Sequence, residues 1–177
     1  MLEDYRAARL RQIQQERARN RFGDVVEIIK DEWISQVTEG SKAGYWVIVH
    51  LYQDSVIECR LVEEALQQLA PKFKYVKFLK IRSTQAIENW PERNLPTIFA
   101  YKDGSMQRQL LTLKEVGGKT MKPVDLEWWL VQKGVVTTSE LEGDPREAED
   151  YQPEGGPTKL SKASRFAKER NYDDDDD

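Results

Sequence analysis

Apolar positions divide this chain into three stretches with different rhythms. Between residues 23 and 138, short apolar runs alternate with apolar residues three or four apart, the periods of strand and helix. Asp24 to Ile29 reads as a short strand, and Asp31 as the cap of a helix through Glu39 that buries Ile34 and Val37 with help from Trp33. Tyr45 to Tyr52 is nearly all apolar, as a central strand covered on both faces should be. Leu61, Val62, Ala65, Leu66 and Leu69 then recur at helical spacing, with Pro71 closing that helix. Tyr75 to Ile81 predicts another strand, and Ser83 or Thr84 starts a short helix ending before Pro91. Pro96 to Ser105 predicts two strands joined around Asp103-Gly104. Pro123 begins a last helix, with Leu126, Trp129 and Leu130 on one face and a stop near Gly134. This βαβαβαββα order predicts an α/β fold with one mixed sheet.

The flanking stretches behave differently. Residues 1–22 hold no Gly or Pro and predict a helix, with Glu3 and Asp4 at its start and Arg17, Arg19 and Arg21 at its end. Leu2, Tyr5, Leu10 and Ile13 give it a thin apolar stripe, too narrow to be buried on all sides, which should dock on this domain or on a partner. From Glu140 the pattern dissolves into Gly143-Asp144-Pro145, Pro153-Glu154-Gly155-Gly156-Pro157 and the run Asp173 to Asp177. Residues 139–177 are expected to be a mostly disordered acidic tail. Within it, Leu160, Ala163 and Phe166 repeat every three residues, the pattern of a short partner-induced helix, with Ser161 and Ser164 as candidate phosphorylation sites.

Charge sharpens that division. The chain carries a net charge of -4, but residues 140–177 hold 13 acids against 6 bases, and residues 1–22 hold six arginines against three acids. A basic head and an acidic tail favour protein partners over nucleic acid. Bases are not interleaved with aromatics as an RNA platform requires. No apolar run is long enough for a membrane span, and the first residues lack the apolar core of a secretory signal. A single cysteine forbids an intramolecular disulfide and fits a reducing, cytoplasmic setting; one cysteine and one histidine exclude the usual zinc sites within one chain. Gly117-Gly118-Lys119-Thr120 lacks the upstream glycine of a phosphate-binding loop and reads as a turn. No cofactor is expected, and the chain is expected to be a monomer.

The decisive stretch is Leu51 to Arg60. It follows a buried-strand pattern and opens an amphipathic helix, where a thioredoxin would carry Trp-Cys-Gly-Pro-Cys-Lys. Val56 stands in the place of the attacking thiol, Ser55 replaces the aromatic before it, and only Cys59 remains, in the resolving position. Dithiol exchange needs two sulfurs within bonding reach, one of them activated. Cys59, one turn inside the helix, is expected to pack as a small apolar residue. His50 takes the position of the buried Asp of redox thioredoxins and is expected to be a hydrogen-bonded core or rim residue, since no nucleophile motif accompanies it. The chain is therefore read as no enzyme, a thioredoxin-like scaffold used for binding.

Leu95-Pro96-Thr97-Ile98-Phe99-Ala100-Tyr101-Lys102-Asp103-Gly104 resembles the thioredoxin segment that places a cis proline opposite the active-site helix. Arg21 to Ile28, Val76 to Lys80, Asn94 to Phe99 and Asp125-Leu126-Glu127-Trp128 resemble the phosducin-like family, most closely phosducin-like proteins 2 and 3, with similarity from about residue 4 to 146. The resemblance implies a thioredoxin-like fold, a mixed sheet flanked by helices, over residues 23–138, preceded by a helical arm at 1–22. It also implies a cis Leu95–Pro96 bond. In function it implies a non-redox co-chaperone of the cytosolic group II chaperonin, modulating the folding of clients such as actin and tubulin. Other branches bind the G-protein βγ dimer, so a βγ-binding regulator is the alternative reading, although phosducin binds βγ through a longer helical region than residues 1–22; a thioredoxin-type oxidoreductase ranks below both. Tyr5, Arg6, Arg9, Leu10, Ile13 and Arg17 are the candidate partner-binding residues of the arm, its arginines meeting acidic chaperonin rims. Asp173, Asp174, Asp175, Asp176 and Asp177 are those of the tail, facing basic cavity surface.

Overall fold

A computed structural model describes residues 1–137. The expected tail, the Lys159–Arg170 helix, Ser161, Ser164 and Asp173 to Asp177 lie outside the described residues. The chain begins with α1 (Leu2–Arg19), followed by β1 (Val25–Glu27), a run of turns ending in α2 (Glu39–Ser41), β2 (Val47–Tyr52), α3 (Glu58–Lys72) and β3 (Lys77–Arg82). The short α4 (Ser83–Ala86), β4 (Thr97–Lys102), β5 (Ser105–Leu111) and α5 (Pro123–Gln132) complete it. The five strands form one sheet in the order β1-β3-β2-β4-β5. β1, β3 and β2 are parallel, while β4 runs antiparallel to β2 and β5 to β4. A parallel β-α-β half joined to an antiparallel hairpin and a closing helix is the thioredoxin-like arrangement.

All six residues of β2 are buried, because both faces of the sheet are covered. Ile48 packs into a cluster with Val62 and Leu66 of α3 and Leu126 and Leu130 of α5. Val47, Val49 and Leu51 alternate to the opposite cluster, with Val37, Leu79, Ile81 and Phe99. This period of two makes the central run nearly all apolar. In the β4–β5 turn Asp103 and Gly104 both have positive φ, 54° and 83°, the paired left-handed conformation a two-residue hairpin turn needs.

The elements depart from expectation in four places. Between Lys30 and Ser41 a 3-10 turn (Lys30–Glu32), a π turn (Ile34–Thr38) and α2 replace a regular helix. The wide π turn breaks the 3.6-residue phase, so Val37 is fully buried while Ile34, expected inside, is 68% exposed. Asp31 does not cap this stretch; Glu32 reaches back to accept from the Ile29 N–H at 3.2 Å. α3 continues one residue beyond Pro71, which sits in its last turn and forfeits only one hydrogen bond there. A 3-10 turn at Glu92–Asn94 leads into the Leu95–Pro96 peptide. Finally, of the two docking surfaces expected for α1, this domain and a partner, the domain is not used along the helix: none of its residues is buried.

α1 joins the domain only at its base. The Arg19 guanidinium lies 4.0 Å from the Tyr75 ring centre. Beyond the helix the Phe22 N–H donates to the Lys74 carbonyl at 2.9 Å, and the Phe22 ring meets Tyr45 edge-on at 4.9 Å. No helix among the described residues is long and apolar enough to cross a membrane.

Candidate functional site

β2 and α3 deliver the loop Gln53–Ile57 to one end of the sheet. Polar contacts hold it from both sides. Gln53 Nε2 donates to Ser83 Oγ at 3.0 Å and Thr84 Oγ1 at 3.3 Å, and Asp54 pairs with Arg82 at 2.9 Å. On the other side the Ser55 hydroxyl donates to Glu92 at 3.1 Å. Glu92 opens the turn before Leu95, so the loop is tied to the segment carrying Pro96.

Val56, Cys59 and Leu95 belong to one apolar cluster. Cys59 is 4% exposed, and burial pushes its thiol above the usual cysteine range. A backbone hydrogen bond from Gln53 opposes that shift, while the carboxylates of Glu58, Asp54 and Glu63 add to it. A buried, protonated sulfur with no second cysteine in the chain cannot run dithiol exchange. The Leu95–Pro96 peptide is cis, and both residues are buried. The Pro96 carbonyl accepts from the Thr112 N–H at 2.9 Å, and Thr97 Oγ1 accepts from the Trp90 indole at 3.1 Å while donating to the Asn94 carbonyl at 2.7 Å. The proline loop is fixed by its own network, independent of any sulfur.

Beneath the loop lies a charged row. His50 is 1% exposed, and neither ring nitrogen has a hydrogen-bond partner, so the expected hydrogen-bonded histidine is corrected. Burial, helped by the positive charge of Lys80, pushes its pKa down to about 3, so it is a neutral imidazole at physiological pH. Lys80 pairs with Glu63 of α3 at 2.6 Å. Tyr52 donates to Glu27, and burial followed by that hydrogen bond pushes the phenol up to about 12. Beside this row, Gly23, Asp24, Val25, Gln67, Ala70, Pro71 and Lys80 line a groove of about 340 Å³. No group of three or more candidate metal ligands exists among the described residues.

The second candidate region is α1. At 100° per residue, Leu2, Tyr5, Leu10 and Ile13 share a side with Arg6, Arg9 and Arg17, so apolar and cationic groups are interleaved on one face. Leu2, Tyr5 and Leu10 are 74, 71 and 60% exposed, and Ile13 is half-buried. No arginine of this helix pairs with a carboxylate among the described residues; Arg9 reaches only Gln12, at 3.0 Å. The sequence reading missed Tyr75, the anchor of this arm, since an aromatic preceding a strand has no distinguishing pattern. It also missed the Ser55–Glu92 and Lys80–Glu63 pairs, which exist only once the strands are in register.

The chain matches the Phosducin family over residues 1–143. It is 42% identical over 146 residues to phosducin-like protein 2 of Dictyostelium discoideum, covering 82% of this chain and 60% of that protein. It is 39% identical over 145 residues to phosducin-like protein 3 of Mus musculus, with the same coverage. The chain thus spans about three fifths of the length of these relatives. Among solved structures, a mutant thioredoxin from Halobacterium salinarum NRC-1 superimposes with a TM-score of 0.49 at 15% identity, covering 66% of this chain and 96% of that one.

Proposed function

The chain belongs to the phosducin family, and on that footing we propose that it is a non-catalytic co-chaperone that binds the cytosolic chaperonin and modulates the folding of clients such as actin and tubulin. The observation that carries the binding half of this reading is α1, an exposed helix whose apolar and arginine side chains have no carboxylate partner within the described residues. Such a face suits a partner surface with apolar patches set among acids: the charges steer encounter, and the apolar residues hold the complex. Residues at the former redox site support the non-catalytic half, because Val56 brings no thiol and Cys59 is buried. The molecule acts through shape and charge.

Pull-down of the tagged full chain with purified chaperonin, and separately with purified G-protein βγ dimer, tests the reading. The expected result is retention of chaperonin, weakened when residues 1–22 are deleted and at high salt. Retention of the βγ dimer without chaperonin would replace it with a G-protein regulator. If deletion of 1–22 leaves chaperonin affinity unchanged at low and moderate salt, the arm has no part in it.

A further inference from the structure

The sheet ends at β1, and no strand among the described residues lies beyond it. Its backbone groups alternate in direction. The Ile28 N–H donates inward to the Lys80 carbonyl at 2.9 Å, and the Lys30 N–H donates inward to Gln85 Oε1 at 3.2 Å. The parallel register Val25↔Phe78, Val26↔Leu79, Glu27↔Lys80 puts Val26 in the same inward set, so the N–H and C=O groups of Val25 and Glu27 face the open edge. The Val26 side chain is 53% exposed. From this geometry we propose that β1 pairs antiparallel with β1 of a second copy, about a two-fold axis through Val26, joining two five-stranded sheets edge to edge.

Register and charge both favour this occupant. A two-fold axis through Val26 sets Val25 opposite the partner's Glu27, and Glu27 opposite the partner's Val25. Each is a hydrogen-bonded pair that exchanges two N–H···O=C bonds, because the outward groups belong to these residues. Val26 then faces the partner's Val26 as the intervening pair without hydrogen bonds, where side chains approach most closely and two exposed β-branched groups leave water. The chain stays extended through Ile29 (φ -112°, ψ 169°), which carries Lys30 out along the edge. Asp24 therefore lies diagonal to the partner's Lys30, and the axis makes that contact twice. Neither residue has an ion-pair partner among the described residues. Glu27 and the partner's Glu27 are also diagonal, but each carboxylate is held by the Tyr52 hydroxyl of its own domain.

The opposite edge is protected. β5 carries Arg108 at mid-strand and a bulge, where the register shifts between Ala100 and Tyr101 and Gln107 is left without a partner residue. Charges and bulges keep an edge strand unpaired. β1 has no bulge, and the groove between Gly23–Val25 and Gln67, Ala70 and Pro71 of α3 leaves its flank uncovered. Three residues make a short ladder, so this interface falls in the weak class, below about 1,200 Å². The monomer expected from the sequence is then the dilute form. The pairing goes beyond the chaperonin reading and does not rest on it.

Sedimentation equilibrium of the full chain, from low to high micromolar and without chaperonin, tests it. The expected result is an average mass that rises toward twice that of one chain. Val26→Lys sets two lysines face to face at an exposed position and should stay monomeric throughout, as should Val26→Glu. An equimolar mixture of the two variants should pair again. In the native sequence, hydrogen exchange at the Val25 and Glu27 amides should slow as concentration rises. A mass that never rises would overturn the pairing and leave the edge to an extended segment of another protein. A rise that Val26→Lys leaves unchanged would place the interface elsewhere and overturn it too. Slow exchange at Val25 and Glu27 that is independent of concentration would assign the edge to a segment of the same chain, with the same consequence.

Discussion

His50 and Lys80 are register partners on the parallel strands β2 and β3, so a buried imidazole without a hydrogen bond lies beside a lysine committed to Glu63. The folded chain holds that imidazole neutral down to about pH 3, whereas the ordinary value is 6.5. As pH falls below about 6.5 the unfolded chain takes up a proton that the folded chain refuses. Stability present above that pH is lost toward pH 3, by up to about 1.4 kcal/mol per pH unit from this group. Denaturant unfolding between pH 7 and pH 5 should show the slope in the native sequence and a flatter one in His50→Leu. Equal slopes would mean that the imidazole titrates freely.

Lys72 and Glu127 pin α3 to α5 over the sheet. Their ion pair is 2.5 Å long, with the Glu127 side chain only 3% exposed and the Lys72 side chain half in water. Removing the lysine leaves a carboxylate buried among apolar neighbours, which is worse than removing both charges. Lys72→Met should destabilise the fold by about 1–3 kcal/mol, reduced from the fully buried case because one partner is solvated. Adding Glu127→Gln should recover part of it. The four-protein cycle read by urea unfolding would reject the coupling if the two effects simply added.

The β4–β5 hairpin and the core of α3 were legible because each follows from local chemistry: Asp103-Gly104 accepts the left-handed turn, and Val62, Ala65, Leu66 and Leu69 repeat at one helical period. That the chain holds one cysteine was equally legible, since it is a matter of counting. Ile34 was misplaced because a π turn shifts phase without any residue-type signal. The Glu92–Asn94 turn was invisible because three residues show no period. Neither the seat of Arg19 on Tyr75 nor the bareness of His50 has a local signature: the first joins residues far apart along the chain, and the second depends on what neighbouring strands fail to offer.

Alanine should be costly at one glycine and tolerated at another. Gly104 has φ +83°, and an added Cβ would also meet Lys42 Cε at 2.8 Å. The lysine tip can swing away, but the backbone strain stays, so Gly104→Ala should cost about 1–2 kcal/mol. Gly40 lies in the α2 turn, where a Cβ has ordinary contacts of 3.4 Å or more. Gly40→Ala should be neutral or gain up to about 0.5 kcal/mol through the unfolded state. Midpoints of chemical denaturation compare the two, and a loss at Gly40 as large as that at Gly104 would contradict the conformational argument.

Cys59 should behave as a core residue and not as a thiol reagent. It is buried beneath the Gln53–Ile57 loop, and its thiol is held above the ordinary range, so the reactive thiolate is scarce and unreachable in the folded protein. Labelling by a maleimide or iodoacetamide at pH 8 should be at least about tenfold slower in the native protein than in denaturant. Moving the sulfur to the half-buried position at the mouth of α3, with Val56→Cys in a Cys59→Ser background, should restore labelling in the native state. Reduction of insulin by the native chain should stay at the level of the Cys59→Ser control. Fast native labelling of Cys59 would show a thiol open to solvent, and turnover above that control would return the molecule to redox chemistry.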